Sequence, residues 1–366
     1  MGKLENYLTV IVPTRNRSAL CVSLIQYLRR CGVECAIIIA DSSDTDHALR
    51  NEEFCRGRAA DYRRYAPEIP FYDKALDVLN AVTSPFVVML PDDDIPVPRA
   101  LEQCVSVLRQ NDDTAAAWGY VIDYAMHGEQ FDIFRVRWSA PGINEHSPLE
   151  RVYHLVRRYQ PFFWAVFRTG ALTRSISEAR CTGRIVFQEL TTTLTAALQG
   201  KIARLPIVYS LRGAEVCSYE RAKVEPSFAF LEDPAVFFRE YTGYRDNLVR
   251  FVQTQLEHAE KQLKNCTIEQ FFDLVHGIGL AREIDPGVLN YTVQRALGAP
   301  HPSIPLQQHW SGWKEPCYED IVHTSPIAGR RYVWRKEILK AEPPSTILIS
   351  QDEIALVEQE LNNYRM

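Results

Sequence analysis

The sequence has no CxxC pair, and its nine cysteines make an odd set. That pattern excludes an all-paired disulfide framework and the familiar zinc spacings, leaving the thiols to read as small buried hydrophobes. No apolar run reaches the roughly 20 residues that span a bilayer. The opening stretch MGKLENYLTVIVPT has too short an apolar run for a secretory signal. Cytoplasmic residence is therefore the expectation, with peripheral attachment at the inner face of a membrane as a variant of it. Without a secretory signal, the acceptor-like triplet Asn16-Arg17-Ser18 carries no glycosylation meaning. Surplus positive charge is absent too: the formal net charge is −5, which does not favour a nucleic-acid partner. Internal repeats and low-complexity tracts are likewise missing.

What is present is an ordinary globular composition, 46% hydrophobic and 24% charged, over 366 residues. That length accommodates two domains, each able to bury its own core. Residues 8–12 form a β-branched run stopped by Pro13, and Ser18 stands where it could cap a helix with Leu20, Leu24, Ile25 and Leu28 on one face, closed by Gly32. Residues 35–40 make a second continuous apolar run, ending in Asp41-Ser42-Ser43-Asp44. Residues 62–65 read as a short third strand. A helix face then carries Ala75, Leu76, Leu79 and Val82, before the buried-strand run Phe86-Val87-Val88-Met89-Leu90. Continuous apolar runs alternating with amphipathic helices predict a parallel sheet covered on both faces. Beyond a helix around Leu101–Leu108, residues 115–124 and 131–138 alternate polar with apolar and read as antiparallel or edge strands. A helix over 187–199 and a strand over 202–209 complete this part.

From about residue 224 the texture becomes helical. Phe237, Tyr241, Tyr244, Leu248, Phe251 and Leu256 recur at helical spacing, and Thr267-Ile268-Glu269-Gln270 and Ser350-Gln351-Asp352-Glu353 have capping-box form. The division expected is therefore 1–223 and 224–366, with the Pro-rich stretch 299–316 an irregular crossing.

The chemistry centres on Asp92-Asp93-Asp94, which follows the strand run directly. In open α/β sheets, ligands gather at the carboxyl ends of strands. Pro13-Thr14-Arg15-Asn16-Arg17 and Asp41–Asp44 stand at two further strand ends, so three polar loops converge on one edge. Three adjacent carboxylates repel one another, and hard oxygen ligands suit Mg²⁺ or Mn²⁺. An isolated acidic turn capping a helix would look the same; the address after a buried strand gives the triplet its meaning.

The set Thr9–Arg17, Ile39–Asp44 and Val88–Asp94 resembles, in order and separation, the family 2-type glycosyltransferases of GT-A fold, over residues 8 to about 210. The resemblance implies a Rossmann-like mixed, mainly parallel α/β sheet flanked by helices, a nucleotide-sugar donor (a UDP-sugar above all) and a divalent metal. It implies that Pro13, Thr14 and Arg15 run beside the nucleotide and that Asp41 meets its base or ribose. Asp92 would face the ribose or a metal-bound water, or share the metal; Asp94 would ligate it; Asp93 is either a spacer or a participant. Lys74 matches a donor-contacting position, with an ordinary surface lysine as the alternative. In inverting members a carboxylate deprotonates the acceptor hydroxyl, and its matching place here is Gln188-Glu189-Leu190, making Glu189 the candidate base. The bland alternative for Glu189 is a first-turn carboxylate favoured by the helix dipole.

Weaker candidates are Arg56, Arg58, Arg63 and Arg64, which read as a solvated basic face, and Trp164, which reads as core. Arg212 and Arg221 lie where the family closes a loop over the diphosphate. That loop often supplies a histidine, and none occurs between His154 and His258. His301, His309 and His323 fit no ligand pattern. The acceptor could be a glycan, a lipid-linked glycan, a protein or a small molecule, and the helical tail could bind it or form a homo-oligomer. Two rivals stand beside this reading. One is a non-catalytic nucleotide-sugar-binding or scaffold protein of the same fold. The other is a nucleotidyltransferase, disfavoured because the loop after the first strand has no glycine.

Overall fold

The computed structural model describes residues 4–56, 60–127, 130–136, 140–157, 159–213 and 234–255, with residue 263, residues 267–273, residue 275 and residues 359–360. Its first half is the expected α/β alternation. Strands β1 (Leu8–Thr14), β2 (Ala36–Asp41), β3 (Asp61–Arg64) and β4 (Phe86–Met89) run parallel in the order β3-β2-β1-β4. Helices α1 (Ser18–Arg30), α2 (Thr45–Cys55) and α3 (Phe71–Asn80) are the crossovers. β1 is buried at six of its seven positions, which is why its sequence is continuously apolar rather than alternating.

Helix α1 ends as its glycine predicts. Gly32 has φ +74°, its N–H donates to Arg29 O at 3.1 Å, and Val33 N–H donates to Leu28 O at 3.0 Å. This paired closure satisfies two terminal carbonyls and requires a left-handed residue, a conformation without penalty only for glycine. The start differs from expectation. The helix begins at Ser18 itself, with Arg17 at the cap position, and the Ser18 hydroxyl pairs with His47 Nδ1 at 2.9 Å instead.

After β4 the chain forms the short β5 (Asp94–Pro96), then α4 (Pro98–Gln110), which opens on a proline that needs no N–H there. β6 (Thr114–His127) and β7 (Gln130–Val136) form an antiparallel hairpin. Next come α5 (Pro148–Arg157), β8 (Val166–Arg168), α6 (Thr169–Arg180), α7 (Ile185–Gln199) and β9 (Lys201–Gly213). The full sheet order is β3-β2-β1-β4-β8-β6-β9-β5, with β7 on β6. β4–β8, β6–β8 and β5–β9 are antiparallel, and β6–β9 is parallel. The result is the mixed sheet flanked by helices that the sequence leads one to expect.

Of the antiparallel-or-edge expectation for residues 115–124 the antiparallel part holds: β6 runs antiparallel to β7 and β8, and it lies inside the sheet between β8 and β9. The aromatic segment 161–168 contributes β8, wedged between β4 and β6. Gly119 in β6 allows a close crossing there, because a Cβ would strike the Ile207 carbonyl oxygen of β9.

Helix α7 is buried on almost every side, and its threonines are housed by internal bonds. Thr191, Thr192, Thr193 and Thr195 each donate a hydroxyl to the carbonyl four residues back. Against it lies α8 (Pro234–Gln255), the helix expected from the Phe237–Leu256 pattern. Phe187 stacks on Tyr244 with centroids 5.1 Å apart, and Arg184 pairs with Glu240 at 2.8 Å. Tyr244, Leu248, Phe251 and Phe271 belong to the same hydrophobic core as the sheet. The capping box at 267–270 forms as written: Thr267 N–H donates to Gln270 Oε1 at 3.0 Å, and Gln270 N–H to Thr267 Oγ1 at 3.2 Å. The expected boundary near 223, Arg58, Arg221, the second capping box, the Pro-rich stretch and the three tail histidines lie outside the described residues.

Candidate functional site

Parallel pairing brings the carboxyl ends of β1, β2 and β4 side by side, and backbone bonds continue the ladder into the loops. Ser42 N–H donates to Thr14 O at 3.1 Å, and Leu90 N–H to Ile11 O at 2.8 Å. Side chains then tie the three loops together. The Thr14 hydroxyl donates to Asp92 Oδ2 at 2.7 Å. Arg17 reaches across from the same loop, donating to Asp92 Oδ1 at 3.2 Å and Asp93 Oδ2 at 2.9 Å. Between them stands Asn16 at φ 56°, the left-handed region that asparagine tolerates better than most residues. That turn lets its amide N–H donate to Ser43 Oγ at 2.8 Å and its side chain exchange bonds with Asp44.

Lys74, from α3, is buried at the centre. Its ammonium donates to Ser42 Oγ at 2.8 Å and to Thr14 O at 3.2 Å. Burial pushes its pKa down to about 8, against the pull of Asp41 and Asp92. Burial also holds the Asp92 carboxyl above its usual range, opposed by the Thr14 hydroxyl and by Arg17. Arg15 is exposed on the same loop and Pro13 is half-buried.

Asp41 stands at the end of β2. It has no exposed surface, and both oxygens are engaged within the chain. Oδ1 accepts from Ser43 N–H at 2.7 Å; Oδ2 accepts from Asn51 at 2.8 Å and from Tyr62 at 3.1 Å. In this geometry Asp41 shapes the β2 loop rather than presenting a surface to a ligand.

The triplet is divided. Asp92 and Asp94 are buried, each with 4% of its surface exposed, and Asp93 is half-buried. Asp94 opens β5 and faces Arg212 of β9 in register. Arg212 Nε donates to Asp94 Oδ1 at 2.8 Å and its terminal nitrogen to Oδ2 at 2.7 Å, a two-pronged pair. Asp123, wholly buried on β6, is the register partner of Arg212 on its other side. A divalent ion at Asp92 and Asp94 is not matched by this donor set. Both Asp94 oxygens are held by a guanidinium, and both Asp92 oxygens accept from Thr14 and Arg17. No group of three or more His, Cys, Asp or Glu among the described residues is arranged around a common metal position.

Glu189 is the fifth residue of α7, past the first turn in which the sequence reading placed it, and is half-buried among tyrosines. Tyr159 donates its hydroxyl to Glu189 Oε1 at 3.2 Å. Tyr72 is pushed well above the ordinary phenol range by burial, with the charge of Glu189 adding to it. Helix α3 thus carries Lys74 to the strand-end cluster and Tyr72 to Glu189. Trp164 is half-buried and packs against the edge of the core, on Phe163 and Phe71 at 4.8 and 6.5 Å between centroids. Arg56 and Arg63 make surface ion pairs with Glu52 and Asp61. A hollow of 460 Å³ beside the cluster is lined by Asp44, Thr45, Asp46, His47 and Arg50.

The sequence alone does not assign Arg17 a role, and for Arg212 the resemblance marks a place near the diphosphate but not the pairing with Asp94. Arg17 lies inside the singled-out loop, but nothing in its spacing tells it apart from Arg15. Arg212 reads as following the last strand, whereas it belongs to that strand and is aligned by the β5–β9 register.

No protein-family model matches the sequence, and no curated protein does. Among solved structures, the chain is similar to S. aureus TarS 1–349 in complex with UDP-GlcNAc. That match has 15% identity and a TM-score of 0.46, covering 80% of this chain and 88% of the other. The complex of the same TarS fragment with UDP matches at 13% identity and a TM-score of 0.45, over the same shares. The chain spans about half of the longer TarS structure, 53% of that chain. A CMP:2-keto-3-deoxy-manno-octonic acid synthetase complexed with CTP matches at 10% identity and a TM-score of 0.34, over 57% of this chain and 90% of the other. Scores at this level do not define a family, so function follows from the geometry of the site.

Proposed function

We propose that the chain is a glycosyltransferase that moves a sugar from a nucleoside-diphosphate donor to an acceptor hydroxyl. The observation that carries this reading is the union of three strand-end loops by Thr14, Arg17, Lys74 and Asp92. A structural acidic turn would need no cation brought to it from two separate elements. Such a preorganised polar edge suits an anionic, hydroxyl-rich ligand.

In this reading Pro13, Thr14 and Arg15 line the nucleotide, Asp92 and Asp93 receive ribose or sugar hydroxyls, and Lys74 and Arg17 meet phosphate oxygens. Asp41 acts through the loop it holds, in which Ser42 accepts from Lys74 and Ser43 from the Asn16 N–H. Glu189 takes the proton of the acceptor hydroxyl as its oxygen bonds to the anomeric carbon. The bond from that carbon to the diphosphate breaks, the electron pair leaves with the diphosphate, and the configuration inverts. A hydrogen bond from Tyr159 keeps Glu189 oriented for that transfer. The donor set does not match Mg²⁺ or Mn²⁺, and the charge of the departing diphosphate is met by side-chain cations. The proposed donor is a UDP-sugar; the acceptor is a glycan, lipid-linked glycan, protein or small molecule carrying a hydroxyl.

The test is a thermal-shift screen of UDP, CDP, GDP and ADP, followed by donor hydrolysis with wild type and Glu189→Gln. One nucleotide should raise Tm by mass action. Glu189→Gln should retain that shift while hydrolysis falls by about 100-fold or more, the scale of a lost general base. Absence of any shift and of any hydrolysis sinks the reading. A shift without hydrolysis, unchanged by Glu189→Gln, leaves the non-catalytic binding protein in its place.

A further inference from the structure

We propose that Arg212 supplies the positive charge that meets the donor's diphosphate, the guanidinium standing where a divalent ion would otherwise be needed. This rests on the donor-binding reading above and assigns the electrostatic work within it.

The placement is set by backbone, not by chance side-chain contact. Asp94 and Arg212 are register partners in the antiparallel β5–β9 ladder, so their side chains leave the sheet on one face. The two-pronged pair at 2.7 and 2.8 Å fixes the guanidinium plane. On the other side of β9, Asp123 in β6 is aligned with the same arginine. Burial alone would lower the Arg212 pKa; Asp94, with Asp93 and Asp123, more than offsets it, so the group stays charged.

The pair is asymmetric toward solvent. The Asp94 side chain retains 5% of its surface and that of Arg212 retains 26%. What this corner of the site offers an incoming ligand is therefore mainly guanidinium. A metal would need the reverse: exposed carboxylate oxygens, with the cation arriving from outside. Arginine also suits the task chemically. Its planar fork of N–H groups matches phosphate as well as carboxylate and needs no partner ion to stay charged at neutral pH. On the other flank Arg17 plays the matching part, half-exposed and bonded to Asp92 and Asp93. A diphosphate at the triplet would thus lie between two arginines, each held by the acids that the sequence presents as metal ligands.

The two accounts of the triplet make opposite predictions for Asp94→Asn. If Asp94 were a metal ligand, that change would abolish metal-assisted binding. If Asp94 is the counter-ion that holds Arg212, the change leaves a hydrogen-bonding partner and a less compensated positive charge. Nucleotide affinity would then be kept or increased.

The experiment is isothermal titration with the nucleoside diphosphate that gives the largest shift in the four-nucleotide screen, in excess EDTA and in millimolar Mn²⁺. Wild type should bind equally, within about threefold, in both. Asp94→Asn should bind at least as tightly as wild type, and Arg212→Gln should bind about tenfold or more weakly, a loss Mn²⁺ does not restore. Arg212→Gln removes the two-pronged partner of the buried Asp94. The double variant Asp94→Asn with Arg212→Gln, folded by circular dichroism, therefore serves as the control and should show the same weakening. Binding abolished by EDTA, restored by Mn²⁺ and lost in Asp94→Asn overturns the proposal while leaving the donor-binding reading intact. No binding by wild type in either condition overturns both.

Discussion

Thr14 and Asp92, at the ends of neighbouring parallel strands, are joined by a hydrogen bond of 2.7 Å with both side chains buried. The bond fastens the β1 loop to the acidic triplet and satisfies a carboxyl already held above its usual range by burial. Thr14→Val keeps the volume and deletes the donor. It should cost about 1–3 kcal/mol, the range for leaving one buried polar group short of a partner. Urea unfolding measures this as a lower midpoint at unchanged slope. Thr14→Ser, which keeps the hydroxyl, should recover most of it; equal loss in both variants would show that the methyl group, not the bond, matters.

The Asp41 carboxylate is the hub of the second loop, and its removal should be harsher. Asp41→Ala strands the Asn51 amide and the Ser43 N–H, while the Tyr62 hydroxyl keeps the Ala48 carbonyl oxygen 3.1 Å away. A loss of at least about 2 kcal/mol is expected from two stranded groups. Tyr62 offers a second readout. Its phenol is raised by burial and further by Asp41, so in the variant it should ionise at lower pH, followed by tyrosinate absorbance. An unchanged Tyr62 titration would mean burial alone sets it.

The sequence carries the first half of the molecule more clearly than the second, for a physical reason. β1, β2 and β4 are covered on both faces, so they are written as unbroken apolar runs that end abruptly in polar loops, and the address of the site follows. Gly32 marks its helix end because few other residues accept φ +74°. By contrast, β8 has three residues and sits in an aromatic stretch equally suited to core packing. The parallel pairing of β6 with β9 is non-local and leaves no mark in either strand alone. The same limit applies to Arg212: its partner lies 118 residues away, and only the β5–β9 register brings the two together. Asp41 shows the converse. Its position at a strand end is legible, but the enclosure by Asn51 and Tyr62 depends on α2 and β3 folding over it.

Gly119 tests that non-local crossing directly. In Gly119→Ala the new Cβ would meet the Ile207 carbonyl oxygen, and Ile207 and Tyr209 side-chain atoms lie at 3.0 Å. Backbone cannot yield as a flexible side chain does, so β6 and β9 must part locally. A loss of about 1–3 kcal/mol or more is expected, the scale of overpacking a close-packed interior. Thermal unfolding measures it, and Gly170→Ala provides the comparison, since nothing lies within 4 Å of a Cβ there. Equal Tm values for the two variants would contradict the close approach.

Lys74 gives the site a pH dependence whose sign can be worked out. Its pKa falls from the ordinary lysine value of 10.5 to about 8 in the folded chain, chiefly through burial, with Asp41 and Asp92 opposing and Arg15 adding to the fall. Below pH 8 both folded and unfolded chains hold the proton, so there is no slope. Between pH 8 and 10.5 the unfolded chain binds more protons than the folded one, and stability rises with pH. Above that window both are neutral and the gain is complete. Lys74→Met lacks the titration, so the stability of wild type relative to the variant should climb by roughly 3 kcal/mol across the window. Urea midpoints at a series of pH values measure the difference and cancel the other groups that titrate there. The same deprotonation removes a cation from between the β1 and β2 loops. Affinity for a nucleoside diphosphate should therefore fall as pH passes 8 in wild type and not in Lys74→Met. A flat stability difference would mean that the ammonium keeps its ordinary pKa. In that case the bonds to Thr14 and Ser42, rather than burial, dominate its surroundings.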